Sequence, residues 1–145
     1  MGIDLSDFDN DGRPDIVVTD LSNERYHLFH NNGDGSFRDV TNPSSLGGLT
    51  FAFPAWSTQL FDYDSDGWKD LFVAQGHVMG TIEHTSPNMK YLELPLLLKN
   101  ESGHFVRVLA GDVFQKEWAG RGAAFGDIDN DGDLDIAVSN VGQGA

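Results

Sequence analysis

Three segments of the chain share the pattern Asp-Xaa-Asp-Xaa-Asp-Gly-Xaa-Xaa-Asp, at Asp7–Asp15, Asp62–Asp70 and Asp127–Asp135. Carboxylates packed this closely repel one another unless a cation lies among them. Alternating oxygen donors that end in a glycine turn are the ligand pattern of calcium loops. A solvated hairpin turn would explain one copy, but it does not explain three copies with the same aspartates. Each segment therefore predicts one bound calcium ion.

Each predicted site takes four aspartate side chains and one main-chain carbonyl. The seventh place of the loop varies freely, which indicates that its carbonyl is the ligand. The predicted ligands are Asp7, Asp9, Asp11, Arg13 and Asp15 in the first loop, Asp62, Asp64, Asp66, Trp68 and Asp70 in the second, and Asp127, Asp129, Asp131, Asp133 and Asp135 in the third. The motifs of known catalytic sites are missing from the sequence, so we predict no catalytic residue and no cofactor except calcium.

The loops differ from those of EF-hands. An EF-hand loop ends in a bidentate glutamate at its twelfth place and is flanked by helices. Here the twelfth places are Val18, Val73 and Val138, within short apolar runs that follow the last aspartate. Such runs of branched and aromatic residues favour strands. The loops are therefore predicted to join one strand to the next.

The similarity between copies extends beyond the loops. The segments 26–40 and 96–108 each read as a strand, a glycine-bearing turn and a second strand. Four strands repeating every 55 to 65 residues indicate β-propeller blades. We predict an all-β fold of four-stranded antiparallel repeats, with about two and a half blades present. The predicted blade repeats are 1–55, 56–120 and, as the first half of a third, 121–145.

The loops and their flanking strands resemble the FG-GAP or VCBS repeats of integrin-like β-propellers. The segments 120–127 and 66–74 are similar to secreted bacterial proteins that are related to cartilage acidic protein and carry an ASPIC/UnbV domain. The resemblance implies an extracellular propeller of about seven or eight blades with calcium in its loops. It also implies a role in adhesion or ligand binding. Since two and a half blades cannot close a ring, we expect the chain to be a piece of a larger protein.

The composition limits the possible partners and compartment. The chain has 23 acidic and 9 basic residues and a formal net charge of −14. This charge argues against binding nucleic acid, whose phosphates would be repelled. No apolar run is long enough to span a membrane. Open calcium loops suit about millimolar calcium, so we expect an extracellular or periplasmic location, with any signal peptide upstream of Met1.

These patterns favour a non-enzymatic scaffold that binds an unknown protein or glycan ligand, with structural calcium. The alternatives are part of a calcium-dependent polysaccharide lyase or hydrolase propeller, or a designed partial propeller. The long segment after Gln75 is a candidate ligand-binding loop; a transition-metal site at His77, Glu83 and His84 is less favoured. Trp56 is predicted to pack between blades. The half blade exposes a strand edge, so the chain is predicted to self-associate.

Overall fold

The computed structural model describes residues 1–109 and 111–142. The strands are β1 (Ile3–Ser6), β2 (Asp15–Val18), β3 (His27–Asn31), β4 (Phe37–Asp39), β5 (Ala55–Phe61), β6 (Asp70–Gln75), β7 (Leu96–Glu101), β8 (His104–Val108), β9 (Gly120–Gly126) and β10 (Asp135–Asn140). Two short helices, α1 (Leu46–Thr50) and α2 (Ile82–Thr85), and a 3₁₀ helix (Asp112–Gln115) lie in the connections.

The strands form antiparallel sheets in chain order. The first sheet has the order β1-β2-β3-β4, the second β5-β6-β7-β8, and β9 pairs with β10 in a third. Each aspartate loop joins the first strand of a sheet to the second strand. The predicted all-β fold of four-stranded, blade-like antiparallel repeats is confirmed, and the sheets are open.

Successive side chains of the second sheet point to opposite faces and pack alternately against the first sheet and the third sheet. Leu71 and Val73 of β6 pack in the apolar cluster shared with the first sheet, whereas Phe72 packs in the cluster shared with the third. Both faces of β6 are covered, so all six of its residues are buried. Fully burying a side chain of this size contributes about 1.5–3 kcal/mol. The packing of one sheet on the next is therefore a main source of stability.

Aromatic rings fill the seam between the second and third sheets. The Phe72 ring lies 5.7 Å from the Phe125 ring and 6.3 Å from the Phe114 ring, both edge-on. Such arrangements add to the stabilisation from burial alone. The third sheet is thereby fixed against the second, as expected for neighbouring blades.

Trp56 also lies at this seam, within β5. The guanidinium of Arg121 on β9 lies 4.8 Å from the Trp56 ring centre, and the Trp56 indole N–H donates to the Gly76 carbonyl at 2.6 Å. The Arg121 guanidinium also donates to the His77 carbonyl at 2.9 Å. The prediction that Trp56 packs between repeats is confirmed. These contacts fix the start of the long β6–β7 connection.

The β6–β7 connection has more structure than its sequence suggests. It contains α2, and the main chain of Glu93 pairs with that of Trp118 in an isolated bridge. No helix in the described part of the chain has the length and apolar character needed to cross a membrane.

Candidate metal sites in the aspartate loops

The three loops share one backbone conformation. The fourth residue is left-handed in each, with φ of 61° at Asn10, 60° at Ser65 and 60° at Asn130. The sixth residue is a glycine with φ between 86° and 95°, a region that costs side-chain-bearing residues conformational energy. The glycine of the sequence pattern therefore lies where the turn requires positive φ.

The first aspartate holds the turn closed. In the first loop, the two carboxylate oxygens of Asp7 accept hydrogen bonds from the N–H groups of Asp11 at 3.0 Å and Gly12 at 2.8 Å. Asp11 in turn accepts from the N–H of Arg13 at 2.9 Å. The other two loops repeat these contacts. The seventh residues Arg13, Trp68 and Asp133 are thereby held in place by the fifth aspartate.

The last aspartate links the loop to the third strand. Asp15 is fully buried and accepts from the N–H of Phe8 at 3.1 Å and of Asn31 at 2.8 Å. Asp70 makes the equivalent pair of bonds, to Tyr63 at 3.0 Å and Asn100 at 2.8 Å. Burial raises the pKa of both carboxyl groups, and these N–H donors partly offset the rise. The sequence predicted both residues as calcium ligands but did not reveal this link.

Most of the predicted side-chain ligands converge. Their carboxylate oxygens lie within 4.8 Å of one another in the groups Asp7, Asp9 and Asp15, Asp62, Asp64 and Asp66, and Asp127, Asp129 and Asp135. Asp11 groups with Asp9 and His30 instead. Asp70 and Asp131 belong to the same loops but lie outside these groups. The converging atoms are mainly hard oxygen donors, which calcium prefers.

One imidazole and one ammonium group approach the same carboxylates. His30 Nδ1 lies 2.9 Å from Asp9 Oδ2 and 3.5 Å from Asp15 Oδ1. Lys99 forms an ion pair with Asp64, and its Nζ lies 3.0 Å from Asp66 Oδ2. These two aspartates raise the pKa of Lys99. Neither His30 nor Lys99 was among the predicted site residues, although both precede an Asn at the end of a predicted strand.

The first loop carries a sign of an incomplete ligand set. Asp9 Oδ1 is buried without a hydrogen-bond partner. An orphaned buried carboxylate oxygen is costly, and a cation would satisfy it. The residues present therefore fit a calcium ion.

The first and second loops are joined to each other. Asn10 of the first loop donates from its side chain to the Gly67 carbonyl of the second at 3.0 Å. The buried amide of Asn100 donates to the Phe8 carbonyl at 2.7 Å and to the Lys69 carbonyl at 3.0 Å. A change in one loop can therefore reach its neighbour through direct contacts.

The less favoured transition-metal site gains no support from the structure. His77 Nδ1 accepts from the Met79 N–H at 3.0 Å, and Glu83 accepts from the Tyr91 N–H at 3.2 Å. Within residues 1–109 and 111–142, His77, Glu83 and His84 do not form a metal-holding group. The side chains of His77 and Glu83 therefore stabilise the conformation of the β6–β7 connection.

Residues 7–73, from the first aspartate loop into β6, match the model of a family described as the FG-GAP-like repeat. This part of the chain is similar to FG-GAP-like repeats. The resemblance predicted from the loops is thus confirmed, and the aspartate loops of the first two sheets lie within the matched region.

The chain is also similar to curated proteins. It is 25% identical to cartilage acidic protein 1 of Homo sapiens over 141 residues, which cover 96% of the chain and 20% of that protein. It is 27% identical to cartilage acidic protein 1 of Xenopus tropicalis over 154 residues, with the same coverage. The chain therefore spans about a fifth of the length of these relatives.

Proposed function

We propose that this chain is a calcium-binding segment of an extracellular β-propeller, acting as an adhesion or ligand-binding scaffold. The observation that carries the proposal is the repetition of one loop in three successive sheets, with one backbone conformation and a group of converging carboxylates in each. In this proposal each loop binds one calcium ion through its four aspartates and the carbonyl of Arg13, Trp68 or Asp133. The sheets correspond to blade repeats 1–55 and 56–120 and part of a third, 121–145.

Calcium would act structurally in these loops. Thirteen of the 23 acidic residues lie in the loops, and three bound ions would change the formal net charge from −14 to about −8. The first and second loops also meet at the seam between their sheets through Asn10 and Asn100. Neutralising the loops would therefore stabilise contacts between sheets as well as the turns themselves.

A scaffold fits the loop carboxylates better than an enzyme. Asp7, Asp15 and their counterparts accept main-chain hydrogen bonds that maintain the loop. These hydrogen bonds occupy the oxygens that an acid–base catalyst would need free. The FG-GAP-like match and the similarity to cartilage acidic protein 1 also support a non-enzymatic, extracellular role.

The proposed ligand-binding end lies opposite the calcium loops. The β2–β3 and β4–β5 connections emerge there because neighbouring strands are antiparallel. Two adjoining cavities of about 340 and 410 Å³ at this end share Ala52 and Asn88. Phe53, Lys90, Glu93, Arg107 and Glu117 line the first cavity. Lys90 is paired there with Glu117, and the Arg107 guanidinium lies 5.6 Å from the Phe53 ring centre. The cavity therefore offers charged groups of both signs to a protein or glycan.

The experiment is a calcium titration of chelator-treated protein by isothermal calorimetry. We expect about three calcium ions per chain and weaker binding of magnesium, whose small octahedral shell suits these loops poorly. The variant Asp66→Ala removes one ligand of the second loop and should lower the stoichiometry by about one. A folded protein that binds no calcium would contradict the proposal.

A further inference from the structure

The third strand of each complete sheet presents one cationic or imidazole side chain to the adjacent aspartate loop. In the first sheet Ile16 pairs with Phe29, and in the second Leu71 pairs with Leu98. The next residues along the third strands are His30 and Lys99. The two side chains therefore occupy equivalent positions, each beside the last aspartate of its loop.

Lys99 contacts two aspartates of the second loop rather than one. Its Nζ contacts Asp64 and lies 3.0 Å from Asp66 Oδ2, so it bridges two carboxylates that are proposed calcium ligands. The side chain is 27% exposed. By contrast, the Arg13 side chain pairs with one aspartate of the first loop, Asp11. The Lys99 ammonium thus takes the place among the ligand oxygens that a metal ion would take.

The chemistry of this position differs between the two sheets. An imidazole nitrogen can itself ligate a metal ion. An ammonium has three N–H donors and no lone pair, so it can only compete with the metal for the carboxylates. His30 in the first loop is compatible with a bound ion, whereas Lys99 must give up its contacts with Asp64 and Asp66.

We propose that Lys99 is a tethered cation that competes with calcium for the second loop and substitutes for it when calcium is absent. This inference rests on the proposed calcium binding. The ammonium lowers the calcium affinity of the loop because one positive charge must be displaced for two to enter. It also stabilises the calcium-free loop, because two of its aspartates are already neutralised in part.

The size of the effect follows from the distances. Opposite charges in contact near a protein surface attract each other, and displacement of the ammonium into solvent recovers much of that energy. Removing the ammonium should therefore tighten calcium binding by about tenfold or more. Lys99→Met keeps the length and apolar character of the side chain while removing the charge.

The second loop can be observed separately from the others. Trp68 and Tyr63 lie within it, whereas the loops at 7–15 and 127–135 contain neither Trp nor Tyr. Terbium, a luminescent calcium analogue, should therefore be sensitised mainly in the second loop. Displacing terbium with calcium gives the calcium affinity of that loop, and Asp66→Ala should abolish the signal and so verify its origin.

The experiment compares wild type with Lys99→Met, Lys99→Arg and Lys69→Met. Lys69 lies in the same loop and has no ion pair among those of the described residues, so Lys69→Met is a matched loss of charge. We expect about tenfold tighter calcium binding in Lys99→Met only, together with a lower melting temperature in EDTA. Lys99→Arg keeps the charge and should behave like wild type.

The possible outcomes distinguish between failure of the tethered-cation inference and failure of the proposed calcium binding. If wild type binds calcium in the second loop and Lys99→Met binds it no more tightly than Lys69→Met does, the tethered-cation inference is wrong and calcium binding stands. If none of the loops in wild type binds terbium or calcium, both are wrong. Circular dichroism of each variant confirms that the comparison is made between folded proteins.

Discussion

The side-chain amide of Asn100 donates to the carbonyl of Phe8 at 2.7 Å, although 92 residues separate them along the chain. The same amide donates to the Lys69 carbonyl at 3.0 Å, and Asn100 Oδ1 accepts from the Gly103 N–H at 2.7 Å. One fully buried residue thus connects both aspartate loops of the first two sheets to the β7–β8 turn.

Asn100→Ala should be among the more destabilising single changes in the chain. It leaves the carbonyls of Phe8 and Lys69 and the N–H of Gly103 without their partner, and each buried orphan costs about 1–3 kcal/mol. We expect a loss of about 2–4 kcal/mol in the free energy of unfolding, measured by urea denaturation. Asn32→Ala, which removes an exposed bond to Ser36, is the control and should change stability by less than about 0.5 kcal/mol. Equal losses in the two variants would refute the bridging role of Asn100.

Glu93 should make stability fall as the pH rises. Burial raises the pKa of its carboxyl group to about 7, and Glu117 adds to the rise while Lys90 and Arg107 oppose it. The folded state therefore holds the Glu93 proton more tightly than the unfolded state, whose carboxyl group has a pKa near 4.5. The penalty is absent below about pH 4.5 and complete above about pH 7.

Glu93→Gln removes this titration. The variant should melt at a higher temperature than wild type at pH 8, and the difference should shrink as the pH falls toward 5. Thermal melts of both proteins in the same buffers give this difference directly, and titration of the loop aspartates cancels from it. A melting-temperature difference that stays constant between pH 5 and pH 8 would show that Glu93 ionises normally in the fold.

The isolated chain should self-associate. Ile3 and Leu5 on β1 are 62% and 60% exposed. In the described residues β10 pairs with β9 only, which leaves its other edge open. Exposed apolar faces and open strand edges recruit other chains.

Light scattering at micromolar concentration should therefore give a mass above the 15.9 kDa of one chain. The double variant Ile3→Glu, Leu5→Glu should shift the population toward the monomer. Wild type that elutes as a clean, folded monomer would contradict this expectation.

Local patterns predicted the strands and loops well. The apolar runs that contain Val18, Val73 and Val138 lie in strands β2, β6 and β10, and the predicted strand–turn–strand segment 96–108 contains β7 and β8. The spacing of the aspartates and the glycine also predicted the loop conformation. These features depend on neighbours in the sequence, which is why the sequence alone revealed them.

Contacts between distant segments were beyond sequence reasoning. The approach of Lys99 to Asp64 depends on the register of β7 against β6, and the bond from Asn100 to Phe8 depends on how two sheets pack. The helix α1 includes Gly47 and Gly48, which have low helix propensity, so packing rather than propensity accounts for it. The roles of His30, Lys99 and Asn100 were therefore found only in the structure.

We claim that calcium in the aspartate loops holds the sheets together, so removing the metal should destabilise the fold. Without metal, the four or five carboxylates in each loop are neutralised only by the few side chains that reach them. The melting temperature should therefore fall by many degrees in EDTA and return when calcium is restored. Elemental analysis must confirm that calcium is lost and regained in the same samples. An unchanged melting temperature after confirmed calcium loss would show that the loops do not need metal and would contradict the claim.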